Sequence, residues 1–188
     1  MKNSIIRKFK LENELVYNSK QITVGVGGKH VIYNLFMSTI EKGDEVIIPA
    51  PYWVSYPDIV SLCGGKPVIP TTSMSQEFKI TSDLLKSSIS EKTKWFVLNS
   101  PCNPTGSVYS ENELESLASV LVDNPHVNIL SDDIYEHIIY GKERKFINIL
   151  NVEPKLYERT FIVNGVSKVF SMTGWRIGYA AGNEQIIK

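Results

Sequence analysis

Lys168 lies between Ser167 and Val169, just past an apolar run that ends at Val163, in a stretch with few other charges. Partial burial and a nearby cation would lower its pKa and free a neutral amine for Schiff-base chemistry. Asp132 closes a second apolar run, a position where an acidic side chain needs a partner. Paired with a pyridine nitrogen, it would hold that nitrogen protonated and keep the ring electron-poor, as an electron-sink cofactor requires. Tyr135, three residues on, could donate a hydrogen bond to a ring oxygen. Trp53, held on a rigid loop after Pro49 and Pro51, offers a planar face for stacking. Gly27 and Gly28 fall between a strand and a helix, where free N–H groups and the helix dipole favour a phosphate. Arg176 could grip the same anion through two hydrogen bonds.

Each of these residues also has a plain structural explanation. Gly27-Gly28 could be a turn without a ligand, and it is not a dinucleotide fingerprint, because position 30 is His30 where a third glycine is required. Trp53 could be packing, and Asn103 in Asn-Pro-Thr-Gly is good turn chemistry by itself. Asp132 could be a cap, with Asp133 beside it competing for the same role. Arg176 could sit in a salt bridge, and an unpaired lysine such as Lys168 is usually a surface residue.

The elements that would position these groups alternate between short β-branched runs and longer helical patterns. That alternation predicts an α/β fold, a mostly parallel sheet with helices on both faces. Strands are expected at Ile22–Val24, Glu45–Ile48, Val68–Ile69, Lys94–Leu98, Val127–Leu130, Thr160–Val163 and Arg176–Ala180. Val31, Ile32, Leu35, Phe36, Thr39 and Ile40 recur with helical spacing. Ser110 with Glu113 reads as a capping box for a helix carrying Leu114, Leu117, Ala118 and Leu121. In an open parallel sheet, ligands bind beyond the carboxyl ends of the strands. Gly27-Gly28-Lys29, Tyr52-Trp53, Asn103, Asp132 with Tyr135, and Ser167-Lys168 all follow strands.

The bulk properties favour small-molecule chemistry. In 188 residues, 20 basic side chains balance 20 acidic ones, so no long-range field recruits nucleic acid or an anionic membrane. Cys63 and Cys102 are too few for a disulfide framework and lack metal-ligand spacing, so no metal site is expected and a reducing cytoplasm fits. The basic start, Met1 to Lys10, runs into Leu11-Glu12-Asn13-Glu14 rather than the apolar stretch of a signal peptide. No apolar run approaches the ~20 residues of a membrane span.

Taken in order, the motifs resemble the class I/II aminotransferases of fold type I, in particular the aspartate aminotransferase branch. The likeness runs from Ile22 through Gly182. It rests on Val26-Gly27-Gly28-Lys29, the run Pro49 to Pro57 around Tyr52-Trp53, Asn99-Ser100-Pro101-Cys102-Asn103-Pro104-Thr105-Gly106, Ser131 to His137, Ser167-Lys168 and Met172 to Tyr179. The resemblance implies pyridoxal 5'-phosphate as cofactor, bound to Lys168 as a Schiff base. It makes Lys168 the base that later moves the proton, and pairs Asp132 with the pyridine nitrogen. Tyr135 and Asn103 would hold the ring oxygen, Asn103 and Trp53 would also face the substrate, and Gly27, Gly28 and Arg176 would hold the phosphate. Lys29, at the same end, could face the distal carboxylate of a dicarboxylic substrate.

The implied reaction is amino-group exchange between an amino acid, aspartate or glutamate, and a 2-oxo acid. The alternatives are an aromatic or prephenate-type aminotransferase, a lyase on the same scaffold, and a cofactor-binding module without full activity. Relatives of this kind are homodimers and longer at both ends. Residues 1–188 are therefore expected to form an incomplete large domain, lacking the N-terminal arm and the C-terminal small domain whose arginine clamps the α-carboxylate. The pattern departs at Gly165, where some relatives carry a serine hydroxyl for the phosphate.

Overall fold

The computed structural model describes residues 1–141 and 145–188. The strands are β1 Ile22–Gly25, β2 Glu45–Ile47, β3 Lys66–Val68, β4 Thr93–Asn99, β5 Asn128–Asp132, β6 Thr160–Gly165 and β7 Gly178–Ala181. The helices are α1 Lys2–Glu12, α2 Gly28–Thr39, α3 Ser55–Leu62, α4 Ser82–Ser88, α5 Glu111–Asp123, α6 Ile149–Val152 and α7 Glu184–Ile187. The strands form one sheet in the order β1-β7-β6-β5-β4-β2-β3. β7 runs antiparallel to both β1 and β6, and every other pairing is parallel. Reversing twice through β7 makes β1 parallel to β6, so six strands present their carboxyl ends along one edge.

Side chains alternate between the two faces of each strand, and the two apolar clusters follow that parity. Phe96 and Leu98 of β4, Ile129 of β5 and Ile162 of β6 pack with Ile5 and Phe9 of α1, Leu85 of α4 and Leu114 and Leu117 of α5. Trp95, Val97, Leu130, Phe161 and Val163 point the other way, onto Ile32 and Phe36 of α2 and Tyr56 and Val60 of α3. Buried on both faces, these strands read as continuous apolar runs, as expected for a parallel sheet. The Ser110–Glu113 capping box is present, with Ser110 Oγ and N–H both bonded to the Glu113 carboxylate, and Thr81 caps α4.

Two elements, α1 and β7, differ most from the sequence reading. α1 falls where only a basic start was read, because its scattered apolar positions, Ile5 and Phe9, form a narrow stripe. The strand expected from Arg176 begins at Gly178, and Arg176 itself is left-handed, with φ 51°. That strand is also the antiparallel one. Among the described residues, no helix is long and apolar enough to cross a membrane.

Candidate active site

The carboxyl edge of the sheet borders a cavity of about 210 Å³. Eight of the nine residues singled out from the sequence line it: Gly28, Lys29, Trp53, Asn103, Asp132, Tyr135, Lys168 and Arg176. Gly27, the ninth, meets the cavity through Arg176, which lies against it. Residues spread over 150 positions of chain are thus gathered by strand direction alone.

Asp132 is the last residue of β5 and shares the parity of Leu130, so its side chain faces α2 and α3. It is buried, accepts a 2.5 Å hydrogen bond from the Tyr56 hydroxyl and a longer one from the Ile134 N–H, and has no salt bridge among the described residues. Burial pushes its pKa up to about 6, against the lowering effect of those two donors. The competition between Asp132 and Asp133 is settled by the same alternation. Asp133 points to the opposite face, where Ser131 Oγ and the Asn148 amide donate to it.

Tyr135 and Asn103 meet each other at the cavity, where the Asn103 side chain acts to lower the pKa of the tyrosine hydroxyl. Burial first, and then the charge of Asp132, raise the pKa of Tyr135. Asn103 is held in turn by its backbone N–H, which donates to Asn99 Oδ1 at 2.8 Å, while Asn99 Nδ2 donates to the Asp132 carbonyl. The loop reading and the ligand reading of Asn103 are therefore both satisfied: the backbone makes the turn and the amide is left for the cavity.

At the far end, Gly27 has φ 87° and precedes α2. A Cβ at Gly27 would stand 2.3 Å from Arg176 Nη2, so only glycine lets the guanidinium lie over the turn. A Cβ on Gly178 would come within 2.2 Å of the Gly27 carbonyl carbon, so the turn rests directly on β7. Arg176 donates to the Thr173 and Val26 carbonyls and makes no salt bridge among the described residues, which removes the ion-pair explanation for it. A charge-bearing fork, free N–H groups and a helix start thus converge on one spot.

Lys168 stands on the turn after β6 with Nζ 5.8 Å from the centroid of the Tyr135 ring. It is exposed rather than partly buried as its sequence setting suggested, because the turn lies at the cavity mouth with no element over it. Trp53 packs edge-on against Tyr56, its ring centroid 5.2 Å away, and Lys29 Nζ lies 5.0 Å from the Trp53 ring. The aromatic is thus both packed and exposed to the cavity.

The family model for class I and II aminotransferases matches residues 1–188. The chain belongs to that family. It is 54% identical over its whole length to a probable aspartate/prephenate aminotransferase of Rickettsia felis, of which it covers 46%. Among solved structures it is similar to the aspartate aminotransferase of Rhizobium meliloti, with a TM-score of 0.97 and 47% identity over 99% of this chain and 46% of that one. It is also similar to the aspartate aminotransferase of Thermus thermophilus with maleate, with a TM-score of 0.93 and 41% identity over 99% and 47%. The chain spans about half the length of the curated relatives it matches.

Within this class I and II aminotransferase chain, two residues of the site escaped the sequence reading. Tyr56 holds the carboxylate of Asp132, and Asn99 ties the Asn103 loop to β5. The signal for Tyr56 was its place in the same proline-bounded run as Trp53, in the first turn of α3. Asn99 had one too, a polar residue ending an otherwise apolar strand. The departure at Gly165 has a packing cause. Gly165 pairs with Gly178, and a Cβ there would approach the Ile177 carbonyl to 2.9 Å and Ile134 Cδ1 to 3.1 Å.

Proposed function

We propose that this chain is the cofactor-binding large domain of a pyridoxal-phosphate-dependent aminotransferase, working on an amino acid, aspartate or glutamate, and a 2-oxo acid. The observation that carries this is the convergence on one cavity of an amine, Lys168, a buried carboxylate without a counter-ion among the described residues, Asp132, and the Gly27–Arg176 cradle. That set fits pyridoxal phosphate: a carboxylate for the ring nitrogen, a tyrosine–asparagine pair for the ring oxygen, an anion site for the phosphate and an amine for the aldehyde. When bound, the cofactor supplies an electron sink for a carbanion at the substrate Cα.

The residues then have separable tasks. Lys168 would hold the cofactor through its amine and, when that amine is free, would serve as the base that moves the proton at the substrate Cα. Asp132, steadied by Tyr56, keeps the ring nitrogen protonated. Tyr135 and Asn103 orient the ring through its oxygen, and Trp53 limits its tilt and excludes water from one face. Gly27, Gly28 and Arg176 fix the phosphate end, so that the amine and Cα meet in a reactive alignment. Lys29, on the Trp53 ring, faces the distal carboxylate of a dicarboxylic substrate. Maleate, the dicarboxylate named with the Thermus thermophilus relative, agrees with that preference. The name of the Rickettsia felis relative makes prephenate the alternative acceptor. The active assembly is a homodimer in the cytoplasm that includes segments beyond this chain's span.

The test is a visible spectrum of the purified protein with added pyridoxal phosphate, followed by borohydride reduction and peptide mapping. A reduced adduct on Lys168, absent in Lys168→Ala, is the expected result. A folded protein with no adduct on Lys168 rejects the assignment.

A further inference from the structure

Behind the cavity, on the α1 side of the sheet, lies a buried ionic cluster that the reaction does not touch. Glu136 is 4% exposed and follows Tyr135 directly. Its Oε1 accepts from Asn164 Nδ2 at 2.6 Å, its Oε2 from Asn13 Nδ2 at 2.8 Å, and Lys8 of α1 pairs closely with it. Asn164, also buried, uses its Oδ1 to accept from the Gly165 N–H. The carboxylate is therefore bonded at once to the segment presenting Asp132 and Tyr135, to the end of the strand leading to Lys168, and to α1. A buried carboxylate with three donors is a rigid joint, because releasing any one of them leaves a charge desolvated and unpaired.

We propose that Glu136, charged and held by Lys8, Asn13 and Asn164, is a positioning residue that sets the distance between Tyr135 and Lys168. This rests on the function proposed above. On the cavity side, no hydrogen bond or salt bridge among the described residues joins Lys168 to Tyr135, whose ring centroid lies 5.8 Å from Nζ. β5 and β6 are joined by the sheet up to Asp132 and Val163, and one backbone bond, from the Asp133 N–H to the Val163 carbonyl, extends the ladder. Beyond that point, the Glu136–Asn164 bond is, among the described residues, the side-chain hydrogen bond that joins the two segments. α1 thereby gains a role at the active site without reaching it, delivering the ammonium that makes a charged joint tolerable in the interior.

The test compares Glu136→Gln with the double variant Lys8→Met/Glu136→Gln, each loaded with pyridoxal phosphate. Thermal unfolding of the cofactor-free protein, the cofactor dissociation constant and the visible circular dichroism of the bound chromophore are measured together. Glu136→Gln is expected to lower the unfolding temperature, weaken cofactor binding about ten-fold and reduce the visible dichroism at saturation at least two-fold. Removing both charges is expected to restore thermal stability, since a neutral replacement of a buried pair costs little, while the binding and dichroism defects persist. Recovery of all three together in the double variant overturns the proposal, as does wild-type dichroism in Glu136→Gln. Should the unmodified protein itself form no chromophore, the proposed function fails and not merely this joint.

Discussion

The segment from Asp132 to Glu136 has two sides built on opposite principles. Toward α1, charge is closed: Glu136 has Lys8 and two amide donors, and Asp133 has one amide and one hydroxyl donor. Toward the cavity, charge is left open. Lys29, Lys168 and Arg176 line it and make no salt bridge among the described residues. Asp132 and Asp133 are alike buried, hydrogen-bonded and without a salt bridge among the described residues, so the contrast lies in the cations, and unpaired cations lining a cavity suit an anionic ligand.

Exchanging one carboxylate on each side tests this most severely. Asp132→Asn should reduce turnover by at least about 100-fold, the scale on which one electrostatic contact to a reacting system is felt. Asp133→Asn, one residue away on the other face, should leave turnover within about three-fold. Steady-state rates of the two variants measure it, and equal losses would erase the distinction between the faces.

The open side should also be visible in stability. The unfolded chain ionises Asp132 near its ordinary value of 3.8, whereas the folded, cofactor-free chain keeps it protonated up to about 6. The folded state binds the extra proton between those values, so stability falls as pH rises through that window, by on the order of 3 kcal/mol at most for this group. Asp133, pushed up to about 8 by burial and then by the charge of Glu136, extends the decline to higher pH. Denaturant unfolding of the cofactor-free protein from pH 4 to pH 8 should show this slope. Asp132→Asn should flatten its lower part, and Asp133→Asn its upper part. If Asp132 pairs with a cationic ring nitrogen as proposed, loading the cofactor should flatten the lower part alone.

A third substitution asks whether the phosphate end tolerates repair. Gly165→Ser would add the hydroxyl that some relatives were expected to carry, but its Cβ meets the Ile177 carbonyl and Ile134. Overpacking of this kind costs about 1–3 kcal/mol, and thermal unfolding should register that loss with no gain in cofactor affinity. Tighter binding would mean that β6 and β7 can separate at their glycine pair and that the cup is adjustable.

Most of the working side was legible in the sequence because its residues end strands, and strand ends are marked by the switch from apolar runs to glycine, proline and polar residues. Asp132, Asn103 and Lys168 were found that way. The closed side was not legible. Nothing in Asn128–Asp132 indicates which face Asp132 takes, since β5 is buried on both faces and alternation of apolar residues is lost. Lys8, Asn13 and Asn164 meet Glu136 from separations of 128, 123 and 28 residues, and no local period encodes such a meeting. α1 escaped for a related reason: its apolar stripe is narrow, and its ion pair forms only in the folded chain.

The smallest expected effect concerns the two lysines that best express the contrast. Lys8 is committed to Glu136, whereas Lys29 has no salt bridge among the described residues and lies over the Trp53 ring, a contact worth about 0.5–1 kcal/mol at an exposed site. Holding it there costs little, so Lys29 is free to turn toward an anion in the cavity. Lys29→Ala should raise KM for aspartate and glutamate about ten-fold, close to 1.4 kcal/mol, and leave kcat and the KM for neutral or aromatic amino acids within two-fold. A uniform rise across both substrate classes would make Lys29 a support for Trp53 or the phosphate. The open cations would then serve the cofactor alone, and substrate choice would have to come from residues outside this chain.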